Sequence, residues 1–599
     1  MKKAYIGVFG SAGSKLRRDG AFNERYPYTA PISGLISKKK GKYLKLAEKL
    51  KFAALGGLNE IGKNMYVYEY GDEMIVVDCG IGFPDDDMYG IDSVIPDITY
   101  LTKNRDRLKA IILTHGHEDH IGAMPFVMDE LTTVPVYCTA LTAALVNIKL
   151  TERGNAKKVK INVVKAGETV KIGSNFKVEF IHVNHSIPDS VALAIRTPVG
   201  TVIHTGDYKI DTTPIDGGMI DLARFGELGK RGVLALVSDS TNVENPGYSL
   251  SESVVAANFE NQFKDCSQRI IVTTFASNVH RLQQVINCAK KYGRKVAVTG
   301  RSMENVLRVS TELGYMDVPQ GVLVDINQIK GLPKEKTVII TTGSQGETMS
   351  ALHKMAFGEH RHVEITAGDK IIISASAIPG NENSISRVID ELFRKGASVV
   401  YERGYQLHAS GHACREELKL MLALIKPKFF IPVHGEYRHM KLHAELAKTM
   451  GVAPKNVVIT DLGKVVEMSG RSIKLTGTIP SGKIFVDGTG VGDVGSVVLR
   501  DRKHLAQDGM VVAVVSLSSE DGSLVSGPDI ITRGFVYVKE NEEIINDLKL
   551  LVSEVVWDYA DRRTRDWSAI KSTIKGRVSD YLYKKTRRSP MVLPVIMDI

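Results

Sequence analysis

A group of potential metal ligands follows an apolar strand near the start of the chain. Residues 114–122 read THGHEDHIG and come directly after residues 110–113, AIIL, which have the apolar, β-branched character of a buried strand. Imidazole and carboxylate are ligands that suit zinc or manganese, and a bend after a strand can direct alternate side chains toward two neighbouring ions. We therefore expect the chain to fold around a metal site. Its first candidate ligands are His115, His117, Asp119 and His120.

Three further candidates occur where other β-rich runs end, namely His185, Asp207 and His434. With the first group they make five histidines and two aspartates. That set is large enough for two metal ions, with Asp207 as a bridging carboxylate and an open position between the ions. Catalytic metal sites keep such an opening, whereas structural sites are closed. The seven residues therefore predict a catalytic centre rather than a structural one.

The β-rich texture changes in the middle of the chain and then returns. From about residue 252 strands alternate with helices, for example a strand at 269–274 and a helix at 278–292, which predicts a parallel α/β unit. Histidine-rich loops and an apolar strand at 429–433 follow it, so this unit is expected to be an insertion. Gly, Ser and Thr near residues 470–485 indicate a linker, and a final unit has a strand at 510–517 and a helix at 542–561.

Charge is concentrated at the N-terminal end. The chain has a formal net charge of +10, and residues 1–51 hold 13 Lys and Arg against 3 Asp and Glu, so the rest is formally neutral. Residues 1–48 show little periodicity and are predicted to be a basic, flexible extension that contacts RNA backbone or ribosomal surfaces. A solvated tail without a dedicated partner is the alternative, because charge runs usually are solvated.

The cysteine content and the distribution of apolar residues indicate where in the cell the protein is expected. The five cysteines are far apart and form no CxxC pair, so a disulfide framework or a thiolate zinc site is not indicated. A cytoplasmic location fits these cysteines best. No uninterrupted apolar stretch of about 18 residues is present, so no membrane span is expected.

The motif HxHxDH, the later histidine and the Gly-Asp pair at 206–207 resemble the metallo-β-lactamase fold, an αββα sandwich. By that resemblance His115, His117 and His185 hold one metal, Asp119, His120 and His434 hold the other, and Asp207 bridges them. The insertion, with the motifs at 238–242, 408–412 and 432–436, resembles the β-CASP branch of nucleic-acid nucleases. Asp239, His412 and His434 match its three characteristic positions.

Narrower motifs resemble ribonuclease J: GGLNEIGKN at 56–64, SIPDS at 186–190, TGSQGE at 342–347 and a C-terminal appendage. The implied fold is α/β, with the sandwich at 49–246 and 400–469, a β-CASP domain at 247–399, a linker at 470–485 and a small α+β domain at 486–599. The implied activity is RNA hydrolysis by a metal-activated hydroxide, as a 5′-to-3′ exonuclease and endonuclease in RNA maturation and decay. The implied cofactors are two Zn²⁺ per subunit, with Mn²⁺ as the alternative.

The resemblance also assigns roles around the metals. Asp119, Asp207 and His412 are the expected catalytic residues, and His412 either protonates the leaving ribose oxygen or only donates a hydrogen bond to phosphate. A strand followed by a helix near residue 274 can bind an anion at the helix N-terminus, although plain capping explains its polar residues equally well. The expected substrate contacts are His408, Ala409, Ser410, Gly411 and His412, with Ala276, Ser277 and Asn278.

Expected partners are single-stranded RNA with a 5′-monophosphate, a second copy in a homodimer or homotetramer, and RNA-degradation or ribosome-associated proteins. A DNA-directed β-CASP nuclease remains an alternative, since no motif in the sequence senses the ribose 2′-hydroxyl. A non-catalytic RNA-binding scaffold is a second alternative, but it would be expected to have lost ligands, and all seven positions remain His or Asp.

Overall fold

A computed structural model describes residues 49–599 except 86, 216, 348–349, 377–380, 402, 537–541 and 563–565. The predicted basic extension at 1–48 lies outside the described residues.

Strands and helices follow one another in four stretches of the chain. The first stretch contains β1 (Leu50–Gly56), β2 (Met65–Tyr70), β3 (Glu73–Val77), β4 (Ser93–Pro96), α1 (Thr99–Lys103), β5 (Leu108–Ile112), α2 (Glu118–Ile121), α3 (Met124–Glu130), β6 (Val136–Cys138), α4 (Ala140–Arg153), β7 (Ile161–Val163), β8 (Thr169–Ile172), β9 (Phe176–His182), β10 (Val191–Thr197), β11 (Gly200–His204), α5 (Leu222–Arg231) and β12 (Ala235–Asp239). The insertion contains α6 (Glu252–Phe263), β13 (Ile270–Thr273), α7 (Val279–Lys291), β14 (Lys295–Thr299), α8 (Arg301–Glu312), β15 (Thr337–Thr341), α9 (Ala351–Ala356), β16 (Lys370–Ile373), α10 (Glu382–Arg394) and β17 (Ser398–Val400). The return to the first domain contains α11 (Arg415–Ile425), β18 (Phe429–Val433), α12 (Tyr437–Thr449), β19 (Lys464–Met468) and β20 (Ile473–Thr478). The last stretch contains β21 (Lys483–Asp487), β22 (Gly490–Val491), α13 (Ser496–Asp508), β23 (Met510–Leu517), β24 (Leu524–Arg533), α14 (Glu542–Asp561), α15 (Trp567–Thr586) and β25 (Met591–Asp598).

Two mixed sheets form a sandwich. One has the order β20-β19-β1-β2-β3-β5-β6-β7, and the other has the order β18-β12-β11-β10-β9-β8. Their inner faces share a core that includes Phe52 and Tyr68 from the first sheet and Phe180 and Phe429 from the second. Helices α3 and α4 cover the outer face of the first sheet, and α5, α11 and α12 cover the second. Because both faces of each sheet are covered, central strands such as β2 and β3 are buried along almost their whole length. The αββα arrangement expected from the sequence is confirmed.

The insertion has its own five-stranded sheet, in the order β14-β15-β13-β16-β17, and every neighbouring pair in it is parallel. Its helices connect these strands, as parallel pairing requires. The core on one side of this sheet is continuous with the core under α3 and α4 of the sandwich. The α/β insertion is therefore packed against the sandwich rather than tethered to it.

The last stretch joins the sandwich through a small sheet in which β21 pairs with β4. The segment predicted as a linker at 470–485 includes β20, at the edge of the large sheet, and the beginning of β21. Beyond it, β24-β23-β25 form a sheet whose one face packs on α14 and α15 around Leu548 and Ile574. This is the small α+β domain expected at the C-terminus.

Candidate metal centre and active site

The predicted metal ligands lie at one end of the sandwich, Asp119 and His120 in the short helix α2 and the others in loops. Strands β11, β12 and β18 are parallel neighbours in which His204 is aligned with Val237 and Asp239 with Val433. The loops that follow these strands therefore leave the sheet side by side, bringing Asp207, Asp239 and His434 together. The motif after β5 reaches the same place from the facing sheet. The fold itself, rather than local sequence, assembles the cluster.

The seven residues form two groups of four that share Asp207. The first group is His115, His117, His185 and Asp207, and the second is Asp119, His120, Asp207 and His434, with the ligand atoms of each group within 4.8 Å of one another. In the first, His117 Nδ1 lies 3.1 Å from His115 Nε2 and 3.0 Å from His185 Nε2. In the second, Asp207 Oδ2 lies 3.2 Å from His120 Nε2. The shared carboxylate is the arrangement that a bridged pair of ions needs.

The donor set fits metal ions. His117 Nδ1 lies at hydrogen-bond distance from two other imidazole nitrogens. A neutral imidazole nitrogen can make only one of these contacts as a donor or acceptor, whereas a metal ion can bind all three nitrogens. The Nδ1 atoms of His115, His120 and His185 are engaged outside the cluster by Thr114 Oγ1, Asp78 Oδ2 and the Gly411 carbonyl, at 3.0, 2.8 and 2.6 Å. These contacts fix each ring so that Nε2 points into the cluster. His434 Nε2 is buried and lies 3.3 Å from Asp119 Oδ2, without the geometry of a hydrogen bond.

The electrostatics of the two groups differ. Burial lowers the pKa of His117 to about 4, and it lowers the pKa values of His115 and His185 well below their ordinary range, so these rings are neutral and able to bind metal. Burial lowers the pKa of His434, but Asp207 and other carboxylates outweigh it and raise this pKa to about 10. A metal ion that binds beside His434 therefore displaces a proton.

The carboxylate of Asp207, which the two groups share, is ionised. Burial raises the pKa of Asp207, but His120 and His434 beside it outweigh that effect and lower this pKa well below its ordinary value. The same balance lowers the pKa of Asp119, where burial is opposed chiefly by His120. Both carboxylates are therefore available as anionic ligands.

Sequence reasoning missed Asp78 and Asn64. Asp78 is fully buried directly after β3, receives hydrogen bonds from Thr114 N and Oγ1, and orients His120. Asn64 Nδ2 contacts the Asp119 carbonyl at 3.1 Å and His120 Nε2 at 3.1 Å. The position of Asp78 at the end of an apolar strand is the same signal that identified Asp207. Asp78 and His434 also adopt φ angles of 63° and 51°, the left-handed region in which non-glycine residues are strained and which is common at functional sites.

His412 belongs to a third group next to the metal ligands, together with Asp207, Asp239 and His434. His412 Nδ1 lies 2.8 Å from Asp239 Oδ2, and its side chain is 21% exposed. Burial lowers the pKa of His412, but Asp239 and Asp207 outweigh it and raise this pKa above its ordinary value. The two carboxylates therefore favour the protonated form of the His412 imidazole at the edge of the cluster.

The loop at 408–412 lies against the metal ligands. The Gly411 carbonyl contacts His185, and a Cβ at Gly411 would lie 2.5 Å from the His185 ring, so only glycine fits at this position. Asn242 Nδ2 donates to Ser410 Oγ at 2.7 Å and to the His412 carbonyl at 3.0 Å. Ala409 is buried, and His408 Nδ1 is a buried atom without a hydrogen-bond partner.

The second set of expected substrate contacts is partly explained by capping. Asn278 Oδ1 accepts a hydrogen bond from Arg281 N and caps α7, while Asn278 Nδ2 is buried without a partner. Ala276 and Ser277 line a cavity of about 490 Å³ with Gly116, Lys149 and Arg301. A second cavity, of about 410 Å³, is lined by His185, Lys209 and residues of the insertion, so this cavity borders the cluster directly.

Two neighbouring histidines join neither group. His204 is buried, with Nδ1 3.0 Å from the Tyr68 hydroxyl, and His182 Nε2 lies 3.0 Å from the Gly218 carbonyl. Both therefore have hydrogen-bonding partners outside the two groups.

Family models match four segments of the chain. They are the metallo-beta-lactamase superfamily at 58–218, the ribonuclease J beta-CASP domain at 267–392, a Zn-dependent metallo-hydrolase RNA specificity domain at 397–459 and the ribonuclease J C-terminal domain at 497–599. Ribonuclease J2 of Bacillus subtilis (strain 168) is 42% identical over 93% of this chain and 100% of its own length. The chain belongs to the ribonuclease J family.

Other members of the ribonuclease J family are similarly close. Ribonuclease J 1 of Streptococcus pyogenes is 42% identical over 91% of this chain and 97% of its own, and ribonuclease J 2 of Staphylococcus epidermidis is 41% identical over 94% and 100%. A crystal structure of a protein of unknown function from Enterococcus faecalis V583 shares the fold, with a TM-score of 0.50 and 18% identity over 70% of this chain and 100% of that one. The chain is accordingly a metal-dependent ribonuclease, a hydrolase whose substrate is RNA. Among the described residues no helix is both long and apolar enough to cross a membrane.

Proposed function

We propose that the chain binds two zinc ions, with manganese as the alternative, and degrades single-stranded RNA from a 5′-monophosphate end, with endonucleolytic cleavage as a second activity. The observation that carries this proposal is the pair of four-residue groups that share Asp207. His115, His117 and His185 would hold one ion, Asp119, His120 and His434 the other, and Asp207 both. Divalent ions held in such a pair polarise phosphoryl oxygens and lower the pKa of water.

The protein's own groups then have defined tasks. Asp119 and Asp207 are ionised and fix the negative charge of the site, which favours cations there and excludes a substrate phosphate until metal is bound. The Nδ1 contacts of His115, His120 and His185 hold the rings in place, so the ligands need little rearrangement. Positioning of this kind is what phosphoryl chemistry mainly requires from a protein.

We assign the role of general acid to His412. Its Nδ1 is engaged by Asp239, so Nε2 is the nitrogen that can face a substrate. The neighbouring carboxylates favour the protonated ring, which is the form that can donate a proton to the departing ribose oxygen. Asp239 also accepts hydrogen bonds from Thr241 N and Oγ1 and is thereby held in position for His412.

Phosphate binding is assigned to the two loops beside the cluster. His408, Ala409, Ser410 and Gly411 precede the acid in one loop, and the contact of the Gly411 carbonyl with His185 supports a role for this loop at the reacting phosphate. Ala276 and Ser277 line the 490 Å³ cavity, in which Lys149 pairs with Glu118 and Arg301 pairs with Glu152. A phosphate bound there would compete with these two carboxylates for the cations. Asn278 caps α7, and its buried unpaired amide supports a contribution from this helix end.

The wider assignments rest on the family and the sequence. We propose the domain division 49–246 and 400–469 for the sandwich, 247–399 for the insertion, 470–485 for the linker and 486–599 for the C-terminal domain. We propose a homodimer or homotetramer, with RNA-degradation or ribosome-associated partners. A cytoplasmic location is supported by five cysteines that are all unpaired.

The decisive experiment uses matched 5′-labelled RNAs that differ only in a mono- or triphosphate end, with DNA of the same sequence as a further substrate. Metal-free protein is reloaded with zinc or manganese, and bound metal is measured by mass spectrometry. We expect two ions per chain, faster release of 5′ nucleotides from the monophosphate RNA and little cleavage of DNA. Equal rates on all three substrates, or one ion per chain at full activity, would contradict the proposal.

A further inference from the structure

A cluster of buried charges joins the insertion to the sandwich. Its members are Lys209 and Asp211 from the sandwich and Glu252 and Arg281 from the insertion, and all are at most 3% exposed. Taking charged groups out of water destabilises a fold unless the charges are well paired. The hydrogen-bond partners of these charges therefore show which segments the cluster connects at the junction between the two domains.

Arg281 holds the end of the active-site loop. Its Nη1 donates to the Leu407 carbonyl and, at 2.8 Å, to Ser374 Oγ, while Nη2 donates to Glu252 Oε2 at 2.9 Å. Ser374 Oγ also donates to the Leu407 carbonyl, at 2.6 Å. Leu407 directly precedes the loop at 408–412. One guanidinium of α7 therefore connects the insertion's helix α6, its strand β16 and the loop that carries His412.

The other end of the cluster reaches the metal ligands. Glu252 N donates to Asp211 Oδ2 at 3.0 Å, and Lys209 Nζ lies 3.4 Å from the same oxygen and 3.9 Å from Glu252 Oε1. Asp211 and Lys209 follow Asp207 in the chain, and Lys209 N donates to the Asn184 carbonyl, next to His185. The same charged cluster thus contacts both the segment with the bridging carboxylate and the loop with the proposed acid.

We propose that Arg281, held by Glu252, is a positioning residue that sets the orientation of the loop at 408–412 relative to the metal ligands. The inference rests on the proposed role of His412 as general acid. Arginine suits the task because its planar fork donates in two fixed directions, whereas lysine has a single ammonium on a flexible stem. The stacking of the Arg281 guanidinium over the Phe259 ring, 5.3 Å from its centroid, fixes the fork further.

The test compares two substitutions with a matched control in the full chain. Arg281→Lys keeps the charge and removes the fork, and Ser374→Ala removes only the hydroxyl between Arg281 and Leu407. Ser310→Ala is the control, because Ser310 is a fully buried hydroxyl of the same insertion whose Oγ has no hydrogen-bond partner. Thermal unfolding and bound metal are measured for each variant. Ser374→Ala keeps the proposal testable if Arg281→Lys fails to fold.

Two phosphodiesters separate loop position from general damage. The ribose oxygen that leaves in RNA cleavage needs a proton, whereas p-nitrophenolate leaves from a p-nitrophenyl phosphodiester without one. We expect Arg281→Lys and Ser374→Ala to slow single-turnover RNA cleavage by roughly tenfold to a hundredfold, the scale of a small misplacement of a catalytic group. Cleavage of the p-nitrophenyl ester and the metal content should stay within about twofold of wild type, as in Ser310→Ala. Equal losses on both substrates, or no loss on RNA, would overturn the proposal.

A double-mutant cycle with His412→Ala identifies the group through which Arg281 acts. If Arg281 works through His412, adding Arg281→Lys to His412→Ala should slow RNA cleavage by no more than about twofold, because coupled residues are not additive. Full additivity would overturn the positioning role while leaving His412 as the acid. Equal loss on both substrates for His412→Ala alone would instead remove the acid role, and the inference with it.

Discussion

The loop that carries His115, His117 and His120 and the loop that carries His408 and His412 meet at one cluster but are anchored differently. The first follows β5 directly, and its contacts are made within the sandwich, to Thr114 and to Asp78. The second is held by residues more than 100 positions away in the chain. They are Asn242 and Asp239 of the sandwich and Arg281 of the insertion. One loop is positioned by the strand before it, and the other by the packing of two domains.

The difference suggests a division of labour. Metal ligands must converge within a few tenths of an ångström whether or not RNA is present, which suits a rigid strand end. A loop that binds phosphate and donates a proton must be positioned relative to the bound RNA, and contacts with a second domain can provide that position. We therefore expect changes in the first loop to remove metal and activity together, and changes in the second to slow chemistry while metal stays bound.

The largest effect is expected for Asp207→Ala, and His117→Ala should behave in the same way. Loss of the shared carboxylate alters both groups at once, so RNA cleavage should fall by roughly a thousandfold or more and bound metal should drop. His182→Ala, at the end of β9 but outside both groups, is the matched control. Wild-type metal content with full activity in Asp207→Ala would remove the basis for the metal assignment.

His412→Ala should have the next largest effect and a different character. We expect single-turnover RNA cleavage to slow by about a hundredfold, the usual scale for loss of a positioned acid, while both metals stay bound. A p-nitrophenyl phosphodiester should recover most of the loss, because its leaving group needs no proton. An unchanged rate on RNA would leave His412 without a chemical role, and an unrecovered loss would favour phosphate binding alone.

Asp78→Asn should have an intermediate effect on metal binding. The substitution weakens the carboxylate contact that orients His120, and partners of this kind typically contribute roughly tenfold to a hundredfold to metal affinity. Competition with a chelator would measure the change. Asp129→Asn is the control and should leave affinity unchanged, because Asp129 is an exposed residue of helix α3 that pairs with Arg153. Equal affinities for the two variants would show that His120 is held without Asp78.

Sequence could predict what depends on a strand and the residue that follows it. The strands at 429–433 and 510–517 and the helix at 542–561 coincide with β18, β23 and α14 because their apolar patterns are long and bounded by turn residues. The seven candidate ligands come together for the same reason: each follows a strand or lies in the motif after β5, and strands of one sheet end side by side.

What the sequence could not predict depends on contacts between distant segments. The position of Asp78 directly after β3 could have marked it as a candidate, but its partner could not be read from the chain, because only the pairing of β3 with β5 brings it to His120. Arg281 has the appearance of an ordinary helix residue, and its contact with Leu407 exists only because α7 packs against the returning chain. The sequence patterns also do not predict the helices α4 and α15, although these supply much of the packing around the sandwich and in the C-terminal domain.

The smallest effect on chemistry is expected from removal of residues 1–48, which lie outside the described residues. Residues 1–51 carry 13 Lys and Arg against 3 Asp and Glu, enough to contact several phosphates at once. Such contacts release counterions, so they strengthen binding and make it depend on salt without reading sequence. Deletion should raise KM on long RNA and flatten the dependence of binding on salt, while kcat on a short oligonucleotide stays near the wild-type value. Replacement of Lys38, Lys39 and Lys40 by glutamine is the graded control and should give an intermediate slope. Identical slopes for the full and truncated chains would decide for a solvated tail, and both loops of the active site would then capture RNA without help from the extension.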